Sequence, residues 1–170
     1  MYKVLLLIFV AIVVPLGIWG LIELKNYFNE KNQQDIANEI KDVSPAYEVT
    51  AMQLESEYDA NEEAAQEKYK GEVVLISGLL RGYRRSSSPP LIIFISDDWL
   101  WDVRCRMPNS QVETINKIIK EHRVPVGISP PQPNHPITLV SVQMKGVVGS
   151  HKSLIFIELD GCTFEQILRR

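Results

Sequence analysis

Hydrophobic and polar positions change their rhythm three times along this chain. From Val4 to Ile22 no charged residue occurs, with Lys3 before the run and Glu23 and Lys25 just after it. As a helix this run is about 28 Å long, close to the hydrocarbon thickness of a bilayer. The pattern predicts a retained single-pass transmembrane helix over residues 1–23, in contact with membrane lipid through residues 4–22. A cleaved signal peptide is the competing reading, but the run exceeds the usual signal core, and Trp19-Gly20-Leu21-Ile22-Glu23 offers no small-x-small cleavage site. Pro15 is tolerable in a membrane helix. Lysines on both sides of the run leave its orientation open.

Residues 24–49 are polar, with Leu24, Phe28, Ile36, Ile40 and Val43 at helical spacing and Asn32 breaking the line. They predict an acidic stalk or linker, too broken in its apolar stripe for a coiled coil, ending at Ser44-Pro45. A second helical stretch begins at Thr50, a suitable N-cap, with Ala51, Leu54 and Tyr58 on one face. Asn61 can cap a third, running through Ala64, Ala65, Lys68 and Tyr69 to a stop at Gly71. Glu55, Glu57, Asp59, Glu62, Glu63 and Glu67 read as a wet face, because the Gly-turned oxygen spacing of a calcium loop is absent.

Beyond Gly71 the period becomes two. Strands are predicted over residues 72–81, 91–96, 99–107, 137–145 and 154–159, with an amphipathic helix over 110–123 carrying Val112, Ile115, Ile118 and Ile119. The third strand sets Trp99, Trp101, Val103, Cys105 and Met107 on one face and Asp102, Arg104 and Arg106 on the other. Three strands, a helix and two strands is the order of an OB-fold, a five-stranded Greek-key barrel. The expected architecture is therefore mainly β, α+β overall, with amphipathic helices and a transmembrane helix preceding a domain over residues 50–170. Gly78 suits a bend in the first strand.

Charge sharpens this division. From Glu23 to Lys70 there are 5 basic and 12 acidic residues; from Gly71 to Arg170 there are 12 basic and 9 acidic, so an acidic stalk carries a mildly basic head within a net charge of -3. That balance is too weak to demand nucleic acid.

Leu54, Tyr58, Asn61-Glu62, Ala64-Ala65, Lys68-Tyr69-Lys70-Gly71, Gly78, Val103-x-Cys105, Lys145-Gly146 and Leu159-x-x-Cys162 together resemble the tRNA-anti-like OB-fold family of bacterial exported and membrane-anchored proteins. The likeness runs from about Ala51 to Cys162, and implies the barrel far more than any ligand. Val124 to Pro136, holding five of the ten prolines, replaces the short turn usual in that family.

Chemistry-bearing residues are few. OB-folds bind along strands two and three and the loops beside them. The first of these loops, with Arg81, Tyr83, Arg84 and Arg85, is either a phosphate-and-base contact or an exposed solubilising tip. Cys105 and Cys162 fall on strands that an OB barrel makes neighbours. They are either a disulfide or two buried thiols; the apparent inward face of Ile155, Ile157 and Leu159 argues against the disulfide unless Gly161 makes a bulge. His122, His135 and His151 lack paired ligands at a recognised spacing, and Ser86 to Ser88 lack a nucleophile elbow. No enzyme, metal or cofactor is expected. The sequence predicts a binding or interaction module of the bacterial cytoplasmic membrane, its barrel outside the cytoplasm, with a protein or glycan of the envelope as partner. One alternative is a cytoplasmic-facing binder of single-stranded nucleic acid or anionic lipid; another is a structural protein-interaction domain using the proline-rich segment.

Overall fold

A computed structural model describes residues 2–84, 87–94, 102–122, 140–149 and 156–168, and within the first of these the side chains of residues 2–17 and 19 are not described. Helix α1 runs unbroken from Tyr2–Ile40, joining the apolar run and the expected stalk in one rod of about 58 Å. Among the described residues no helix is long and apolar enough to cross a membrane. Of the span expected over 4–22, the backbone is helical, and most of the side chains lie outside those described.

The last turns of α1 are part of the folded domain. Gln33, Ala37 and Ile40 are buried, and their spacing puts them on one helical face. Of the stripe expected from the sequence, Ile40 and Ile36 lie on this docked side, whereas Leu24, Phe28 and Val43 are exposed. Three contacts hold the docked face. Gln33 Oε1 accepts the Gly161 amide at 2.6 Å, its Nε2 donates to Asp160 at 2.8 Å, and Lys145 Nζ donates to the Lys41 carbonyl at 2.8 Å. The lysine thus satisfies carbonyls that a helix C-terminus leaves open.

A short strand absent from the sequence reading, β1 (Tyr47–Thr50), follows. Helix α2 (Ala51–Ala60) starts where expected, with Thr50 Oγ1 accepting the Gln53 amide at 3.0 Å, and α3 (Glu62–Tyr69) starts at Asn61, whose Oδ1 accepts the Ala64 amide at 3.0 Å. Ala51, Leu54, Tyr58, Ala65 and Tyr69 enter the core. Glu55, expected on the wet face, is buried instead, because its position on α2 adjoins Leu54 on the inward side.

The sheet has six strands: β1, β2 (Val73–Arg84), β3 (Leu91–Phe94), β4 (Asp102–Arg106), β5 (Ser141–Val148) and β6 (Phe156–Leu168). Their order is β1-β2-β3-β4-β6-β5, with β2 also pairing β5. The last five strands therefore close on themselves in OB-fold order, and β1 is an added strand lying parallel to the first half of β2. A 3₁₀ turn (Asn109–Gln111) leads into α4 (Val112–His122), which buries Ile115, Ile118 and Ile119. Val74, Ile76, Leu80, Ile92, Phe94, Val103, Met107, Val142, Met144, Ile157 and Leu159 fill the barrel, so the inward alternation expected of strand three holds for Val103, Cys105 and Met107. Trp99, Trp101 and the Val124 to Pro136 segment lie outside the described residues.

One-residue bulges in β2 and β6 correct the side-chain directions read from simple alternation. In β2 the register shifts between Leu80 and Gly82, leaving Arg81 as the extra residue. In β6 the pairing passes from Val147↔Asp160 to Lys145↔Thr163, with Gly161 at φ +63. Because the side-chain period is two, the Arg81 bulge flips the rest of β2, and the Gly161 bulge flips β6 as far as Phe164, where a further shift from Met144↔Phe164 to Gln143↔Gln166 reverses it again.

Candidate ligand-binding face

The outer surface of β2, β3 and β4 is built from cross-strand rows. Arg84 stands opposite Leu91, which stands opposite Arg106; Gly82, Ile93 and Arg104 form the next row. Arg81 projects from its bulge onto the same surface and meets Asp102 at the start of β4. Four arginines from two strands thus share one face, with the apolar Leu91 and Ile93 between them. Leu91 and Ile93 are buried although they point away from the core cluster.

Carboxylates hold three of these arginines in place. Asp102 accepts from Arg81 Nη1 at 2.7 Å and from Arg104 Nη2 at 3.0 Å. The Arg104 guanidinium also lies 4.1 Å from the Phe156 ring centroid, a stacked cation–π arrangement. Arg106 pairs with Glu158 and reaches Asp160 at 3.6 Å. Arg84 is exposed at the end of β2, its carbonyl accepting from Ser87 Oγ at 2.7 Å. The face therefore sets four guanidiniums, three of them held in place, against the three carboxylates of Asp102, Glu158 and Asp160. It can offer forked N–H donors to an anion.

Of the loop cluster expected from the sequence, Arg81 and Arg84 stand on this face. Tyr83 does not: the bulge at Arg81 turns its ring into the core, where it is 1% exposed. Arg85 lies outside the described residues. Arg104 and Arg106 were legible as outward residues of strand three, and the barrel order that pairs this strand with strand two was the signal joining them to Arg81.

The two cysteines meet. Cys105 and Cys162 are both fully buried free thiols; the Cys162 sulfur is 3.6 Å from the Leu159 carbonyl. Burial first, then the hydrogen bond with Cys105, push the Cys162 thiol well above its usual range. The Gly161 bulge turns Cys162 inward, against the parity that argued for separation.

A second polar cluster braces α2 against α3. Glu57 accepts from Lys68 Nζ at 2.7 Å and from the Tyr69 hydroxyl at 2.9 Å, and Lys68 lies 4.6 Å from the Tyr69 ring centroid. The lysine contact lowers the Glu57 pKa, and burial raises that of Tyr69. Tyr47 packs edge-on against Tyr69 at 5.0 Å. Among the described residues no group of three or more His, Cys, Asp or Glu side chains is arranged to hold a metal. His122 ends α4; His135 and His151 lie outside those residues.

The residues that carried the family resemblance have structural tasks. Asn61 caps α3, Tyr69 and Lys68 close the helical hairpin, and Gly71 takes φ +79 before β2. A Cβ on Gly78 would sit 2.8 Å from the Phe94 ring, and one on Gly146 would sit 2.7 Å from the Cys162 sulfur. The sequence matches the tRNA_anti-like family over residues 1–127. The chain belongs to this family. The match begins at residue 1 and ends at 127, so it reaches further toward the N-terminus than the likeness running from Ala51 to Cys162 and stops short of its end. No curated protein matches the chain. Among solved structures, the crystal structure of yeast Stn1 and Ten1 is similar at 11% identity and a TM-score of 0.35, over 73% of this chain and 65% of that one; the chain thus spans less than two thirds of its length.

Proposed function

We propose that this tRNA_anti-like domain is a binding module, not an enzyme, that takes single-stranded nucleic acid along the outer face of β2, β3 and β4. The observation that carries this reading is the grouping of Arg81, Arg84, Arg104 and Arg106 on the surface OB-folds use for ligands. Phosphates bind the forked guanidiniums, most freely at exposed Arg84 and at the solvent side of Arg106, while Phe156 offers a ring beside Arg104 for stacking. The apolar start of α1 tethers the module to a bacterial cytoplasmic membrane as a single-pass anchor, with the barrel on the cytoplasmic side.

Fluorescence anisotropy with oligo-dT and oligo-rU, measured from low to physiological salt, tests the reading. Each phosphate contact contributes about -0.7 to the slope of log K against log salt, so Arg84→Ala is expected to reduce the slope by about that amount. Absence of oligonucleotide binding at low salt refutes it; binding of anionic vesicles alone assigns the face to lipid head groups.

The contact between Cys105 and Cys162 favours a second reading, an exported barrel whose thiols join in an oxidising compartment and whose partner is an envelope protein or glycan. Thiol labelling of intact cells distinguishes the two. Labelling confined to lysed, unfolded protein without reduction supports the cytoplasmic arrangement, and a requirement for reduction supports the exported one.

A further inference from the structure

One carboxylate oxygen joins α1 to the arginine face. Gln33 is buried in the helix contact and held at both ends of its amide: Oε1 accepts the Gly161 amide at 2.6 Å, and Nε2 donates to Asp160 Oδ1 at 2.8 Å. The same Oδ1 lies 3.6 Å from Arg106 Nη1. Glu158 and Asp160 are two residues apart on β6, so both stand on the outer surface beside β4, where Glu158 holds the other prong of the Arg106 fork through Nη2. At 3.6 Å the Asp160 contact is an ion pair without a hydrogen bond. While α1 is docked, Gln33 has the hydrogen bond that Arg106 lacks.

We infer that Gln33 and Asp160 are positioning residues for Arg106, through which the docking of α1 and the binding of a phosphate at Arg106 strengthen each other. Two donors aimed at one oxygen share its lone pairs and repel each other through their positive hydrogens, so each weakens the other's hold. With Gln33 on Oδ1, Arg106 Nη1 stays available to a phosphate. When α1 lifts away, Asp160 closes on Arg106 and, with Glu158, grips both prongs of the guanidinium. The effect is reciprocal: a phosphate that draws Arg106 off leaves Asp160 to Gln33 alone and tightens the helix. The phosphate half of this inference rests on the nucleic-acid reading above, whereas the link between Arg106 and α1 stands on the shared oxygen.

Amide exchange at residues 33–40 of the full chain in detergent tests the link without any ligand. Arg106→Met should slow exchange there, relative to β2 and β5, by about two- to fivefold, the range of one partly exposed ion pair. Arg84→Met removes a charge of the same face that makes no contact with Asp160, and should leave that exchange unchanged. Unchanged or faster exchange in Arg106→Met, or equal slowing in both variants, overturns the inference. Oligo-dT anisotropy at low salt reads the opposite direction: Gln33→Met should weaken binding by the same two- to fivefold in the parent chain and have no effect in an Arg106→Met background, a pattern that a merely structural Gln33 would not give. Equal weakening in both backgrounds overturns the positioning role. If oligo-dT binds neither the parent nor any variant, the nucleic-acid reading fails, and the exchange result alone decides the link between Arg106 and α1.

Discussion

Gly161→Ala separates the docking of α1 from the stability of the barrel. The residue sits at φ +63 in the β6 bulge, where a side chain costs about 1–2 kcal/mol in left-handed backbone strain. Its Cβ would also lie 2.7 Å from the Ile36 Cβ and 2.8 Å from the Ala37 amide nitrogen. A backbone nitrogen in a helix cannot rotate away as a long side chain can, and overpacking of this kind costs a further ~1–3 kcal/mol. The total of about 2–5 kcal/mol is relieved if α1 lifts off, which sacrifices the Gln33 bonds to Gly161 and Asp160 and the burial of Ala37 and Ile40. Gly71→Ala is the internal control: Gly71 has φ +79 and nothing within 4 Å of its Cβ position, so it reports strain alone. Urea unfolding in detergent, read with amide exchange, should show a larger loss for Gly161→Ala. Protection should disappear from residues 33–40 while β2 and β5 retain theirs. Equal losses for the two variants, with α1 still protected, would refute the claim that the helix is clamped over this glycine.

Other expectations follow from single contacts. Thr50→Ala and Asn61→Ala each remove an N-cap and should each cost about 1 kcal/mol in urea unfolding; a change in neither would mean that the caps are idle. Glu57 titrates below its ordinary value of 4.5 because Lys68 donates to it, so its stabilising contribution is present above that value and is lost as pH falls through the lowered one. Glu57→Gln should flatten this acid-side loss in unfolding curves taken from pH 6 to pH 3. The reduced Cys162 thiol, held high by burial and Cys105, should resist iodoacetamide at pH 8 in the folded chain and react on unfolding. Labelling of the native protein at the rate of an exposed thiol would contradict its burial.

The barrel was legible in the sequence because period two survives in β4 and in the first halves of β2, β5 and β6, and the helix starts because Thr50 and Asn61 are local signals. What escaped was non-local. Strand β1 has four residues and is held by parallel pairing to residues far along the chain, so no local alternation announced it. Tyr83, expected in a ligand-contacting loop, and Cys162, whose side was left to whether Gly161 makes a bulge, were both decided by one feature: a single extra residue in a ladder reverses parity beyond it. At Gly161 the glycine hinted at this; at Arg81 no glycine marks the extra residue itself. The docking of α1 depends on Gln33, Lys145 and Asp160, polar residues whose meeting no periodicity predicts. The arginine face was half visible, since Arg81 and Arg84 cluster in sequence while Arg104 and Arg106 join them only through strand pairing.

Lys145 binds the carbonyl end of α1 from the middle of a barrel strand, and Gln33 fixes the same helix two turns earlier. A domain hung on a loose string samples a whole hemisphere around its attachment point. This one is mounted on a stiff arm: from Ile18 to Gln33 the helix sets a standoff of about 22 Å, and the arginine face keeps one heading relative to that arm. On the proposed anchor, whatever meets the face arrives from a fixed height and bearing, so the geometry of the arm screens partners before any chemistry on the face does.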